Sequence, residues 1–205
     1  MSNEIVIIDY EVGNLQSVES ALTRIGLTPV ISRDPETIQN ARAIILPGVG
    51  AFPAAMAKLH EFHLVELLQE EATTGKPFLG ICLGMQVLFE SGSEVTPTPG
   101  LGLLKGTVDK IQTTEKLPHM GWNQLHLNQP THPLVQNLNE NEEVYFVHSF
   151  QANSPENQHI ATTSYGGEII PAIVGRDNVL GCQFHPEKSG PIGRKILEAF
   201  KEMLK

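Results

Sequence analysis

Within the first ninety residues, four short apolar runs alternate with segments of helical periodicity, and few folds accept that order. The runs are Glu4 to Asp9, Thr28 to Ser32, Ala43-Ile44-Ile45-Leu46, and Pro77-Phe78-Leu79-Gly80-Ile81 leading to Cys82. The first and third are unbroken and rich in β-branched residues, as strands buried on both faces are. Between them, Gln16 to Ile25 carries Val18, Ala21, Leu22 and Ile25 at helical spacing, closed by Gly26 as a C-cap. Asp34-Pro35-Glu36 is a helix start, a capping carboxylate with proline in the first turn. One longer helix is predicted from about Pro53 to Thr73, with Met56, Leu59, Leu64, Leu67 and Leu68 on its apolar stripe. Gly75 and Pro77 punctuate its end. This alternation predicts an α/β fold with a mostly parallel central sheet and helices on both faces. Ligands on such sheets gather at the carboxyl ends of the strands. Tyr10, Gly48 to Gly50, and Cys82 fall there.

The texture changes after Ser91. Pro97, Pro99, Gly100, Gly102 and Gly106 cut the chain into short pieces. Val108 to Gln112, Asn123 to Leu127, Glu143 to Val147 and His159 to Thr163 read as shorter strands, some of them antiparallel. Ala172 to Gly175 and Val179 to Phe184 form a predicted hairpin, with Arg176-Asp177-Asn178 as its turn. The last helix starts at about Pro191 and buries Ile196, Leu197, Phe200 and Met203 or Leu204. No repeat, low-complexity segment or linker divides the chain. Residues 1–205 are therefore read as one domain, large enough for a real core.

A net charge of −9 with no run of Lys or Arg argues against nucleic acid as a partner, because phosphate neutralisation needs a clustered basic surface. No apolar run approaches the length of a membrane span, so no membrane association is expected. Met1-Ser2-Asn3-Glu4 offers no basic region before a long apolar segment, so no secretory signal is expected. The two cysteines, Cys82 and Cys182, make no disulfide scaffold and suit a reducing compartment. The expected location is cytoplasmic.

The fourth run ends in Gly80-Ile81-Cys82-Leu83-Gly84, and an apolar helical pattern follows in Met85-Gln86-Val87-Leu88-Phe89. A nucleophile on a sharp strand-to-helix turn needs small residues two positions before and after it. Gly80 and Gly84 meet that need, with sulfur as the nucleophile. Unpaired N–H groups at a helix start favour an anion, hence a thiolate. A cysteine between glycines is also a common small buried hydrophobe. The catalytic reading therefore depends on a base and an oxyanion site elsewhere.

Near the end stands Gly181-Cys182-Gln183-Phe184-His185-Pro186-Glu187. Continued as a strand, it places His185 and Glu187 on the same side, with Pro186 marking a strand end or edge. An imidazole held by a carboxylate is the base half of a triad: the carboxylate fixes the tautomer and favours the imidazolium. The same pair also fits a purely structural role. Cys182, His185 and Glu187 together raise a metal site. Strand parity turns Cys182 to the opposite face, and the spacing is short for zinc, so Cys182 is read as core and no metal or cofactor is expected. Pro47-Gly48-Val49-Gly50 follows the third run. A dinucleotide fingerprint would need a small residue at Pro53, and no P-loop signature exists. The glycines can instead aim backbone N–H groups at a developing oxyanion beside Cys82. His60 and His63 are placed on the solvated face of the long helix. His119, His126, His132 and His159 are given no chemistry, and Trp122 is read as packing.

The glycine loop, the cysteine turn and His185-Pro186-Glu187 come in the order and approximate spacing of class I (triad) glutamine amidotransferases. The chain resembles that family over almost its whole length. Within the family it is similar to the glutaminase subunits of imidazole glycerol phosphate synthases of histidine biosynthesis. The stretches that carry this likeness are Asp9-Tyr10 with Gly13-Asn14-Leu15, Pro47-Gly48-Val49-Gly50-Ala51-Phe52, Pro118-His119-Met120-Gly121-Trp122-Asn123, Tyr145-Phe146-Val147-His148-Ser149-Phe150 and His185-Pro186-Glu187-Lys188-Ser189. Met85 adds to it, because glutaminase domains of anthranilate, carbamoyl phosphate and guanylate synthesis more often have His there.

The resemblance implies a flavodoxin-like amidotransferase fold and a set of roles. Cys82 would attack the side-chain amide carbon of glutamine, His185 would accept and then donate the proton, and Glu187 would orient His185. Backbone N–H groups of Leu83 and of the Val49-Gly50 segment would hold the oxyanion. Gln86 and the backbone around His148, Ser149 and Phe150 would bind the glutamine. The ammonia would pass to a partner (β/α)₈-barrel cyclase in a heterodimer. There it would react with a ribulosyl aminoimidazole carboxamide nucleotide to give imidazole glycerol phosphate and AICAR. Asn14 and Lys188 would lie near the interface. The partner would also control the glutaminase, with a flexible Pro47-to-Gly50 loop as the gate. Two residues depart from the family pattern: Glu11 stands where a glycine is expected after Asp-Tyr, and Phe150 where tyrosine is common. The same triad also fits an amidotransferase for anthranilate or aminodeoxychorismate synthesis, a cysteine hydrolase or peptidase, or a non-catalytic module on the same scaffold.

Overall fold

The structure, a computed structural model, describes residues 4–204. The reading of Met1-Ser2-Asn3 as free of a leader, and the two ends of the 1–205 domain, lie outside the described residues.

The predicted alternation is present as β1 (Glu4–Ile8), α1 (Leu15–Arg24), β2 (Thr28–Ser32), α2 (Pro35–Asn40), β3 (Ala43–Gly48), α3 (Phe52–Glu61), α4 (Leu64–Thr73), β4 (Phe78–Cys82) and the one-turn α5 (Leu83–Gln86). Side chains alternate across the strands. Val6, Ile8, Ile44, Leu46 and Phe78 join one core with Met56, Leu59, Leu64 and Leu68 of α3 and α4. Ile5, Ile7, Ile45, Leu79 and Ile81 join a second core with Val18 and Leu22 of α1. Both faces are covered, which is why the strand sequences are continuously apolar.

Local chemistry sets the helix ends. Asn14 caps α1, its Oδ1 accepting from the Ser17 N–H at 3.3 Å. At the other end Gly26 takes φ +77°, its N–H donates to the Thr23 carbonyl and that of Leu27 to the Leu22 carbonyl. This is the Schellman closure that the glycine predicted. Asp34 Oδ2 accepts from the Thr37 N–H at 2.8 Å to start α2.

The helix expected over 53–73 is two helices. The chain breaks at Phe62 and His63, where His63 takes a left-handed φ of 55°. Met56 and Leu59 before the break and Leu64, Leu67 and Leu68 after it all face the core. The stripe runs straight across the break, so periodicity carried no sign of it.

The second half adds β5 (Ser91–Gly92), β6 (Thr98–Pro99), β7 (Thr107–Lys110), β8 (His119–Gln124), β9 (His126–Leu127), β10 (Glu143–His148), β11 (Phe150–Asn153), β12 (His159–Tyr165), β13 (Glu168–Arg176), β14 (Val179–Cys182) and α6 (Gly190–Glu202). The main sheet has the order β2-β1-β3-β4-β14-β13-β12-β9. β14 pairs parallel with β4, while β13, β12 and β9 continue the sheet antiparallel. The parallel part has the flavodoxin-like order. The predicted hairpin closes over Asp177-Asn178, since Arg176 pairs with Val179. β13 is longer than expected, because a second hairpin precedes it over Gly166-Gly167, with Tyr165 opposite Glu168. Two smaller sheets, β10-β8 and β11-β7-β5-β6, complete the fold. β10 runs into β11 through Ser149, which carries the chain past the end of β4. Among the described residues no helix is long and apolar enough to cross a membrane.

Candidate active site

β4 ends at Cys82, which takes φ 55° and ψ −113°. A residue with a Cβ rarely adopts a positive φ, and such strain clusters at functional sites. The turn is closed tightly on both sides. A Cβ on Gly80 would sit 2.6 Å from the Gly84 carbonyl oxygen, and one on Gly84 would sit 1.7 Å from the Leu46 carbonyl oxygen. The helix after Cys82 is shorter than the sequence pattern suggested. α5 covers only Leu83–Gln86; Val87 and Leu88 continue as a turn and Phe89 as a bend. With only one turn after Cys82, no dipole summed along a long helix stands behind it.

β14 stops at Cys182. His185 then opens a 3₁₀ turn over Pro186–Lys188. A turn, not strand alternation, brings His185 and Glu187 together. His185 Nδ1 lies 2.7 Å from Glu187 Oε1, with the two side chains only 4% and 2% exposed. The Ser189 hydroxyl donates to the His185 carbonyl at 2.7 Å and accepts from the Tyr145 N–H at 3.0 Å, which ties the turn to β10. With Nδ1 donating to the carboxylate, Nε2 is the nitrogen left for proton transfer. It is buried and has no hydrogen-bond partner among the described residues. Burial alone would lower the His185 pKa; the neighbouring Cys82 and Glu187 outweigh it and raise the value to about 9. Cys182 is fully buried in the second core, and burial pushes its thiol well up, so it is inert.

Cys82 and His185 open on a cavity of about 380 Å³. The sequence-predicted Val49, Gly50, Leu83, Gln86, His148, Ser149, Phe150 and Lys188 all line it. Asn14 does not. It caps α1 and lines a separate crevice that reaches Glu187. The buried Tyr10 hydroxyl donates to the Pro47 carbonyl at 2.7 Å and fixes the start of the glycine loop. Beyond it Val49 is exposed and Gly50 takes φ +96° with open space around it.

Gln86 Nε2 donates to the Phe150 carbonyl at 3.1 Å and to Gln183 Oε1 at 3.0 Å. Gln183 Nε2 in turn lies 4.0 Å from Cys82 Sγ. Gln86 therefore braces the 148–150 backbone. The Phe150 ring takes no part in these bonds, so phenylalanine in place of tyrosine leaves them intact.

The family profile described as glutamine amidotransferase class-I matches residues 6–203. The chain belongs to that family. Within it, the chain groups with the HisH subunits of imidazole glycerol phosphate synthase. It is 62% identical over 199 residues to the subunit HisH of Lactococcus lactis subsp. lactis (strain IL1403), covering 97% of this chain and 98% of that protein. HisH of Listeria monocytogenes serotype 4a (strain HCC23) is 51% identical, covering 97% of this chain and 95% of that protein. A solved glutamine amidotransferase superposes with a TM-score of 0.76 at 20% identity, covering 97% of this chain and 98% of that chain. PurLQS from Thermotoga maritima gives 0.76 at 22%, with both chains fully covered. These two likenesses carry the fold alone.

The cavity also has lining residues that received no role from the sequence: Pro118 and Val147 lie inside the stretches that carry the family likeness, and Glu94 lies outside them. Glu94 also accepts from the Phe52 N–H at 2.8 Å, where α3 lacks a side-chain cap of its own. It stands in the bend between β5 and β6 with no motif around it. Trp122, read as packing, is 55% exposed, and Met120 beside it is 61% exposed. His119, given no chemistry, is buried and bonded to His148. Glu11 takes φ 64°, the region that explains why the family pattern favours glycine there. Its carboxylate pairs with Lys58 at 2.9 Å and Arg33 at 3.4 Å, contacts a glycine would not make.

Proposed function

We propose that this chain, working as one amidotransferase domain in the cytoplasm, hydrolyses L-glutamine to glutamate and ammonia. The ammonia passes to a (β/α)₈-barrel cyclase subunit, and the two chains together make imidazole glycerol phosphate. The observation that carries the reading is one cavity holding Cys82 on its strained turn and the Glu187-held His185, in a chain 62% identical to a HisH subunit.

Because its pKa is raised to about 9, His185 is an imidazolium at pH 7, with Cys82 as its neighbour. The sulfur attacks the side-chain amide carbon of glutamine. Backbone N–H groups of Leu83 and of Val49-Gly50 receive the oxyanion. The carbon–nitrogen bond breaks as His185 gives its Nε2 proton to the departing ammonia. The now neutral imidazole takes a proton from the water that attacks the thioester, and glutamate leaves as the sulfur is freed. Glu94 is a carboxylate on the cavity wall and complements the α-ammonium group of the substrate. The glycine loop gates the reaction, supported by the open space around Gly50. Full-rate hydrolysis by the isolated chain would overturn the gate.

Since the protonated His185 serves the leaving group, hydrolysis falls as pH rises through about 9. Glu187→Gln removes one of the groups that hold the pKa up. The basic limb of the pH–rate profile then moves to lower pH, and the plateau falls by about 100-fold. An unmoved limb would separate Glu187 from His185.

The cyclase docks over the outward face of β8, where Met120 and Trp122 are exposed, with Lys188 of the cavity wall among its contacts; Asn14, on its separate crevice, is a second candidate contact. Trp122→Asp weakens the complex by about tenfold or more, as loss of an aromatic anchor does, and leaves the thermal midpoint unchanged. Calorimetric titration of the cyclase into the variant measures this.

The deciding experiment mixes the chain with a cyclase subunit of an imidazole glycerol phosphate synthase and follows glutamate release, with and without the cyclase's nucleotide. Release that depends on partner and nucleotide is the expected result. No release with that partner, but release with an anthranilate-type synthase, would reassign the subunit.

A further inference from the structure

β8 and β10 pair so that His119 stands directly opposite His148. Both imidazoles are buried, and His119 Nδ1 lies 3.0 Å from His148 Nε2. Groups with a single possible role stand at both ends of this pair. At one end, His148 Nδ1 lies 2.8 Å from the Phe150 carbonyl oxygen. A carbonyl only accepts, so Nδ1 carries the hydrogen.

At the other end, Asn123 Nδ2 lies 3.1 Å from His119 Nε2 and 2.9 Å from the Ser164 carbonyl. Asn123 Oδ1 accepts from the Gln124 N–H at 2.8 Å. Both contacts fix the amide the same way round, so its nitrogen donates and His119 Nε2 accepts. The remaining hydrogen sits on His119 Nδ1 and is donated to His148 Nε2. Both rings are neutral. Burial lowers the pKa of each to about 4, consistent with that assignment. His119 is also held in its plane, stacked between Phe146 at 4.8 Å and Tyr165 at 4.1 Å.

The line of bonds ends on the Phe150 carbonyl, which also accepts from Gln86. Both lone pairs of that oxygen are therefore used. The Ser149 carbonyl is taken by the Ile111 N–H at 3.0 Å. The chain from His148 to Phe150, which forms one wall of the cavity, is pinned from behind.

We propose that His119 and His148 are positioning residues for the glutaminase reaction, a neutral imidazole relay that sets the backbone wall against which glutamine is held. The proposal rests on reading that cavity as the glutamine site. Neither ring takes part in the bond changes. Their task is to keep a substrate-facing stretch of β10–β11 in one geometry before glutamine arrives.

Two variants and one spectrum test it in the complex with the cyclase. His119→Phe keeps the stacked ring and removes both nitrogens. His119→Asn keeps a donor where Nδ1 stood. The phenylalanine variant is expected to raise the KM for glutamine by about tenfold with kcat changed far less, and to leave ammonia-dependent synthesis untouched. The asparagine variant recovers most of the loss. An unchanged KM in His119→Phe, or equal impairment in both variants, would overturn the relay and leave His119 as packing. Imidazole ¹⁵N shifts of the wild-type chain give a second reading that needs no variant to fold. Hydrogen on both Nδ1 atoms and bare Nε2 atoms at pH 7 is expected; an imidazolium or the opposite tautomer overturns the assignment. If the wild-type complex releases no glutamate, the glutaminase reading has failed, and the ¹⁵N spectrum still judges the relay.

Discussion

Replacing Cys82 by alanine abolishes glutamine-dependent synthesis by the complex and leaves synthesis from added ammonia intact. The loss in glutamine-dependent rate is at least about 10³-fold, because no other group on the cavity wall can form the thioester. The substitution removes one sulfur from a side chain that is already nearly buried and keeps the Cβ at its φ of 55°. The strain of the turn therefore stays as it was, and the fold is expected to survive. Parallel assays with glutamine and with ammonium salt separate the two activities. Loss of both would make Cys82 a structural element of the complex and not its nucleophile.

Gly84→Ala has the largest expected effect on stability. In an ordinary helix position this change is favourable by about 1 kcal/mol, since alanine has the better helix propensity. Here the new Cβ would lie 1.7 Å from the Leu46 carbonyl oxygen and 2.7 Å from its carbon, both backbone atoms of β3 that no rotamer change can move. Overpacking against side chains costs about 1–3 kcal/mol, and a backbone clash in the middle of a sheet costs more. That is a large share of a total stability of about 5–15 kcal/mol. Gly75→Ala is the control. It has φ +81° and nothing within 4 Å, so it carries backbone strain alone, about 1–2 kcal/mol. Urea denaturation of both variants is expected to rank Gly84→Ala well below Gly75→Ala. Equal midpoints would mean that β3 and the turn are not held as closely as their contacts require.

Legibility in the sequence followed the range of each interaction. The parallel strands were readable because burial on both faces leaves an unbroken apolar run in Ile5-Val6-Ile7-Ile8 and in Ala43-Ile44-Ile45-Leu46. The cysteine turn was readable because its two glycines are close in sequence to the residue they serve. His185 and Glu187 were readable as a pair through proximity alone, although a 3₁₀ turn takes the place of the expected strand. The break at His63 was hidden, since the apolar stripe is continuous on both sides of it. His119 was missed because its partner is fixed by the β8–β10 register, which no local pattern announces. Met120 and Trp122 look like core to any composition argument, and only the alternation of β8 places them outside. Glu94 owes its position to a single N–H of Phe52, forty-two residues away in the chain.

The β8–β10 pair stands apart from the eight-stranded sheet. One side of β8 displays Met120 and Trp122, and the other carries His119 and Asn123. β10 ends at His148 and is fastened through Tyr145 to Ser189 and the His185 turn. On the docking and positioning roles proposed above, recognition of a neighbour and tuning of turnover would be written on opposite sides of one ribbon. Residues drifting on the outer side to follow a changing partner shift the inner side with them. Docking specificity and catalytic rate would then be inherited together, and a graft of one without the other is expected to yield a complex that assembles and runs slowly.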